Sequence, residues 1–461
     1  MRRWGQTNGY RDVLIIGLPL VVSMLSTTVM HFTDRVFLSN YSLDSIAAAM
    51  PAGIASFLFL SFFMGVASYL NAFVAQYTGS GAHHRVGASI WQGLYFSFGA
   101  SVILASLYFV AGPLFDLGGH APEVRQLEVA YFQILTLGSG LAVIGTSLSC
   151  FYSGRGLTKP LMVVHIIGAA INIPLDYALI NGLWIFPELG IVGAGIATVT
   201  AFGVIALLFA FLVFTRKNNR KFSTWRNRTL DKALFGRLMK YGLPGGVHFF
   251  IDIFAFTFFV FMIGRLGKFE LAASNIVFSI NHLAFMPMFG LSIALGTLVG
   301  QAIGRGHPED AVEATRSTIH ITLFYMCLVA LLFVLAPEWL LDFFRSRKTA
   351  AGDFAPIMGT GVILLRFVAV YTLVDGLAII YSGAIKGAGD TRFVMWSMGA
   401  CALVVMVLPV FIGIEYLGFG LYGAWVCITI YITIYALVMW LRFRQGKWKK
   451  MQVIEARPKS A

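Results

Sequence analysis

Long apolar runs, interrupted by short polar stretches, make up most of this chain. Runs of about 20 apolar residues, enough to cross the hydrocarbon core of a bilayer, recur from one end to the other. Twelve spans are predicted, at about 12–38, 45–78, 88–113, 125–154, 160–183, 192–215, 241–264, 271–303, 313–336, 356–385, 393–414 and 418–441. A transmembrane barrel would instead alternate apolar and polar residues in segments of about 10, a pattern absent here. The expected class is an all-α integral membrane protein.

The polar stretches between the spans carry orientation. RKNNRKFSTWRNRTLDKALFGRLMK at 216–240 holds nine Lys or Arg against one Asp, and RFRQGKWKK at 442–450 is also basic. Connections on the opposite face carry acids instead: Asp44, Asp116, Glu123, Glu188, Glu338, Asp342 and Glu415. By the positive-inside rule, both termini and the 216–240 stretch are expected in the cytoplasm. The leader MRRWGQTNGYRD runs directly into the first span without a small-residue cleavage site, so it reads as a cytoplasmic leader rather than a removable signal.

Composition agrees with that class. Charged residues are 12% of the chain, about half the roughly 25% of a soluble domain. A net charge of +13 would suit a nucleic-acid partner, but the basic residues cluster at span ends, where they set topology. No nucleic-acid partner is expected. Cys150, Cys327, Cys401 and Cys427 all fall in apolar spans, which favours packing over a disulfide frame or a metal site.

The chain also repeats itself. GLP at 17–19 recurs at 242–244, VAQYTGSG at 74–81 matches VGQAIGRG at 299–306, and Gly65 falls on Gly290, all at an offset of 225. GRGLTK at 154–159 matches GAGDTR at 387–392 at an offset of 233. Two halves of six helices follow, 1–215 and 241–445, with 216–240 as linker and 446–461 as tail. Because six is even, both halves start on one face and are parallel repeats. Secondary transporters use this arrangement, with the site between the halves, but duplicated halves also occur in membrane proteins that transport nothing. The charges inside the spans bear on the choice.

Four carboxylates lie within spans: Asp34, Asp176, Asp252 and Asp375. Each costs about 2.5–3.5 kcal/mol at a helix centre, so such residues face a cavity or a partner. Asp34 is followed by Arg35 near a helix end, where both are able to reach the interface. Asn172 is one turn before Asp176 and shares its face. Asp252 and Asp375 sit deeper, with no Lys or Arg within a turn; the plain alternative is a buried helix–helix hydrogen bond. Tyr371 is four residues before Asp375, His248 four before Asp252, and His31 three before Asp34. Each His–Asp pair is able to share a proton, unless the histidine bonds a neighbouring backbone. His165 and His282 have no carboxylate at helical spacing. Pro19, Pro244 and Pro287 are expected to bend their helices, and Gly193, Gly195, Gly420 and Gly423 to allow close packing. Phe, Tyr and Trp at 15% would furnish a wall for flat cations, though lipid contact accounts for them equally well.

Taken together, these motifs resemble the multidrug and toxic compound extrusion (MATE) family over nearly the whole chain. The carrying segments are GLP with Asp34, VAQYTGSG, GRGLTKP leading to NIPLDYALI and PELGIVGAGIAT, then GLPGGVHFFID and VDGLAIIYSGAIKGAGDT. The resemblance implies twelve helices in two six-helix lobes around a central cleft. It implies export of small organic cations against inward flow of Na⁺ or H⁺, with no enzyme activity and no tightly bound cofactor. A bacterial inner-membrane location and a functional monomer are expected with it. In the NorM-like branch, the positions of Asp252, Asp375 and Tyr371 shape a cation site in the second lobe. These would be the ligands if the ion is Na⁺, with Asn275 as a further oxygen; the family more usually has Glu where Asp252 stands. Asn172 and Asp176 resemble the helix 5 pair of the DinF-like branch, which joins the helix 1 aspartate, Asp34 here. Asp252, Asp375 and GAGDT assign the chain to the NorM-like side. His248, Asn275 and His31 are expected in the substrate cleft, and the histidines favour H⁺ as a participant. The proposed cycle is competition between coupling ion and drug for the carboxylates. The nearest rival is a lipid-linked sugar flippase, which should line its cleft with Arg or Lys. A major-facilitator porter should carry a longer basic motif than GSGAHHRVG, a membrane enzyme an HExxH-like cluster, and a channel a re-entrant filter.

Overall fold

The computed structural model describes residues 4–183, 185–344 and 351–455. Within them are twelve helices long and apolar enough to cross a membrane. They are α1 (Tyr10–Tyr41), α2 (Leu43–Ser80), α3 (His83–Asp116), α4 (Pro122–Ser153), α5 (Lys159–Asn181), α6 (Ile191–Val213), α7 (Lys232–Gly264), α8 (Lys268–Arg305), α9 (Pro308–Leu335), α10 (Phe354–Ala388), α11 (Thr391–Tyr416) and α12 (Leu421–Arg444). Each coincides with one predicted span to within several residues, and Pro19, Pro244 and Pro287 lie inside α1, α7 and α8. Residues 1–3 of the leader and 456–461 of the tail lie outside the described residues.

The basic linker departs from the expected loop. Arg216–Phe222 forms a short helix capped by Thr215, whose hydroxyl accepts the Asn218 N–H at 3.3 Å. Helix α7 starts at Lys232, well before the apolar run, because Leu234 and Leu238 one turn apart are buried and give its polar first turns an apolar face.

The helices form two compact units. One contains Val22–Phe250, Gly300–His307 and the chain from Gln452 on; the other contains Met1–Val21, Ile251–Val299 and Pro308–Met451. Helices α1, α7 and α8 therefore each contribute to both, a division that sequence repetition alone does not show. The reason is visible at the crossings. In the first unit, α7 lies so close on α2 that a Cβ on Gly65 would sit 2.7 Å from the Gly246 Cα. In the second unit, α1 lies on α8 in the same way, and a Cβ on Gly290 would sit 2.9 Å from the Val21 nitrogen. Gly65 and Gly290 are repeat equivalents, as are Gly246 and Val21.

A third crossing is reciprocal within the first unit. A Cβ on Gly79 of α2 would collide with the Gln301 carbonyl of α8, and one on Gly304 of α8 with the Gln76 carbonyl of α2. Small residues that let backbones touch are a main source of helix association in lipid. Gly193 and Gly195 also meet neighbours closely, at Leu179 O and Ile134 (2.6 and 2.9 Å). Gly420 does not: a Cβ there meets nothing within 4 Å. The expectation for Gly420 is corrected; it precedes α12 as an extended N-cap. The atoms nearest a Cβ on Gly423 belong to Phe419, four residues back, at 3.2 Å.

The two glutamines at the reciprocal crossing have different tasks. Gln301 donates to the Gly154 carbonyl at 3.0 Å, closing the end of α4. Gln76 accepts the Val453 N–H at 2.8 Å and seats the segment after α12. That segment is buried at Val453 and Ile454. Its Glu455 accepts hydrogen bonds from Tyr77 at 2.7 Å and from Arg85 and Arg237. Partial burial works against the Glu455 charge, but the donors win and hold its carboxyl down at about 2, from an ordinary 4.5.

Two outcomes are expected. Gly304→Leu should lower the melting temperature in detergent by an amount equivalent to about 1–3 kcal/mol or more, as overpacking does. Gly236→Ala, where a Cβ meets nothing, should be neutral or slightly stabilising; equal effects of the two would contradict the crossing. For Glu455, a depressed carboxyl pKa means the clamp stabilises fully above the ordinary value and is lost as pH falls through the folded one. A spin label on Gln452→Cys should stay immobile at pH 7 and gain mobility between about pH 4.5 and 2. With Glu455→Gln added, the label should be mobile already at pH 7.

Candidate cation sites

In the first unit, α1, α5 and α6 bring Asp34, Asn172, Asp176 and Thr198 together away from solvent. Asn172 and Asp176 are wholly buried and Asp34 nearly so. The Thr198 hydroxyl donates to Asp34 Oδ2 at 3.2 Å. The other Asp34 oxygen, both Asp176 oxygens and both amide atoms of Asn172 have no hydrogen-bond partner. Asp34 and Asp176 are close enough to interact directly. Two ionised carboxylates are acceptors only, so no hydrogen bond joins them until one carries a proton and donates to the other. Leaving a buried polar atom unmet costs about 1–3 kcal/mol, and more when it is charged. Four of these five atoms are acceptor oxygens, which a proton or a cation would satisfy, and the fifth is the Asn172 amide nitrogen, a donor.

Burial follows from helix faces. Asn172 and Asp176 are one turn apart on α5, and Gly193 lets α6 approach α5 closely. Tyr131 of α4 is also buried and interacts with both aspartates. His31 stands 4.0 Å from Asp34 Oδ2, beyond hydrogen-bond reach, with about half its side chain exposed.

In the second unit, Asp252 of α7 and Asp375 of α10 are electrostatic neighbours. Both are partly covered rather than sealed. Tyr371 is buried and lies near Asp375. Tyr431 and Tyr435 of α12 also lie near both acids, and the Tyr431 hydroxyl donates to Met398 Sδ at 3.1 Å. Asn275 is half-buried on α8 and makes no side-chain hydrogen bond to either acid. His248 lies one turn before Asp252 on α7. His165 faces α1, with its Nδ1 2.5 Å from the Ser23 hydroxyl and 2.9 Å from the Leu161 carbonyl.

Sequence spacing misses a cation here. Lys386 of α10 interacts with Asp252. It is more than a turn from either acid in sequence, but eleven residues make three helical turns, so it shares the Asp375 face; that periodicity was the available signal. Thr198, Tyr131, Tyr431 and Tyr435 are brought in by helix packing and carry no local signal. Among the described residues, no three His, Cys, Asp or Glu side chains group as a metal-ion site. Each cluster holds two carboxylates, with amide, hydroxyl or phenol oxygens around them.

Comparison with known proteins agrees with the duplicated fold. The family model MatE matches twice, at residues 19–178 and 244–411, segments that begin at the 225-residue offset. Multidrug resistance protein PmpM of Pseudomonas aeruginosa is 29% identical over 406 residues, covering 84% of this chain and 82% of that protein. Probable multidrug resistance protein NorM of Xanthomonas axonopodis pv. citri is 27% identical over 450 residues, covering 96% and 95%. A solved outward-facing multidrug resistance transporter of the MOP superfamily superimposes with a TM-score of 0.87 at 21% identity, covering 98% of this chain and 99% of its own. A second, from Pyrococcus furiosus, described as having a binding pocket of reverse polarity, gives 0.86 at 21% identity over 96% and 97%.

Pairing between Lys386 and Asp252 has a measurable signature. Lys386→Gln and Asp252→Asn should each lower the melting temperature, and the double variant should lose less than the two combined. A coupling of about 0.5–3 kcal/mol is expected for interacting groups. Strict additivity would show that the two charges do not meet.

Proposed function

The chain belongs to the MatE family, and we propose that it is a secondary transporter that exports small organic cations in exchange for H⁺ or Na⁺. The observation that carries this reading is the group of five unsatisfied polar atoms on Asp34, Asn172 and Asp176, accompanied by the Asp252–Asp375 pair in the other unit. Such groups bind a cation or a proton and release it again, whereas a purely structural cluster would be satisfied permanently. Twelve spanning helices and the family place the protein in a membrane. The proposal adds a bacterial inner membrane, cytoplasmic termini, a functional monomer and the NorM-like branch.

In the proposed cycle, ion and drug compete for the same negative charge. A proton held between Asp34 and Asp176 sits on an oxygen of one and is accepted by an oxygen of the other, satisfying two of the three unmet oxygens. Na⁺ would draw on those oxygens with the Asn172 amide and the Thr198 hydroxyl, or on Asp252, Asp375 and Tyr371. Either ion neutralises the site, weakens attraction for a cationic drug, and drives the cycle by its unequal affinity for the two states. Lys386 partly offsets Asp252, which leaves Asp375 the less compensated acid of its pair and the stronger attractor of a cationic substrate.

Efflux of a fluorescent cation from proteoliposomes, with pH and Na⁺ gradients imposed separately, tests the reading. One gradient should drive efflux, and Asp375→Asn and Asp176→Asn should each reduce it about tenfold or more, equivalent to at least 1.4 kcal/mol. Undiminished efflux by both variants at normal expression would overturn it.

A further inference from the structure

The linker between α6 and α7 and the turn after α4 gather positive charge around a buried ring. The Arg155 guanidinium lies 4.1 Å from the Phe222 centroid and 4.6 Å from that of Phe151. Lys221 Nζ lies 5.6 Å from the Phe222 centroid, and the His83 ring meets it edge-on at 5.5 Å. Arg155 Nη1 and His83 Nδ1 are closed to solvent and have no hydrogen-bond partner. Lys217 and Arg220 project, exposed, from the adjoining linker helix.

No acid answers this charge among the described residues. The linker's one carboxylate, Asp231, is bound by Arg85 at 2.8 Å, and Glu455 is occupied by Arg85, Arg237 and Tyr77. Burial works against the Arg155 charge and holds it below the ordinary guanidinium range. Cation–π contact with Phe222 favours the Arg155 charge, but it does nothing for the mutual repulsion of the cations. Beside them, the half-exposed Trp225 leans on Phe214 and Trp91, with centroids at 5.1 and 6.2 Å. Exposed indoles at span ends belong at the headgroup level of a bilayer. The patch thus combines an interfacial anchor with the exposed Lys217, Arg220 and Lys221 and the half-buried Arg155, whose charged N–H groups phosphate oxygens accept well.

We propose that this patch binds the phosphate of an anionic phospholipid headgroup and ties the linker to the membrane surface. The inference requires a bilayer around the spans and does not depend on which substrate or ion is transported.

The test uses the full chain in detergent, with phosphatidylglycerol, phosphatidylcholine or inorganic phosphate added at matched phosphate concentration. Lipid retained is read by native mass spectrometry, and stability by thermal unfolding. Phosphatidylglycerol should be retained and should raise the unfolding temperature, while the other two do neither. Each basic residue near such a surface is worth about 1 kcal/mol, so Lys217→Gln/Lys221→Gln should weaken retention about 25-fold. Both lysines are exposed, so this variant's lipid-free unfolding temperature should match wild type; Arg155→Gln should weaken retention as well. Equal retention of phosphatidylcholine would overturn the proposal, as would a shift reproduced by free phosphate, which would mark a soluble-anion site. Undiminished retention by the double-lysine variant would also overturn it.

Discussion

Backbone contact at glycine is the constraint on which the rest of this structure depends. In lipid there is no hydrophobic force to draw helices together, so close approach must come from the absence of a side chain. Gly65 on Gly246 and Gly290 against Val21 fix where α7 meets α2 and where α1 meets α8. Once those crossings are set, α1 and α7 serve both units, and the carboxylates they carry are delivered to opposite clusters: Asp34 to one and Asp252 to the other.

The fold was legible because its signals are local or periodic. Span length follows from composition, and the duplication follows from blocks such as VAQYTGSG and VGQAIGRG. The linker was less legible, since Leu234 and Leu238 supply an apolar face too sparse to register as a span. The candidate sites were half legible. A carboxylate in an apolar run announces itself, and Asn172 is found by its one-turn spacing from Asp176. Thr198 and Tyr131 are ordinary residues made relevant by packing, and Lys386 stands three turns from Asp375, beyond the reach of one-turn spacing. Gly420 shows the opposite error: a glycine read as a contact is an extended residue at a helix start.

The two charge clusters differ in kind. The Asp34–Asp176 group is sealed from solvent and short of hydrogen-bond donors to its oxygens. The Asp252–Asp375 pair is partly open and already holds Lys386 near one member. A repeat that duplicates helices has thus not duplicated their electrostatics; the second half carries a lysine where the first carries Ser153, buried and bonded to Asn71 at 2.6 Å.

Gln76 and Val453 are 377 residues apart in sequence, and this separation has a consequence for biogenesis. Helices α2 and α3 are synthesised early and present Gln76, Tyr77 and Arg85 as an open seat. The bonds from Gln76 and Tyr77 to Val453 and Glu455 form only once the segment after α12 has left the ribosome. The contacts that Val453 and Glu455 make with α2 and α3 are therefore among the latest in the chain to form.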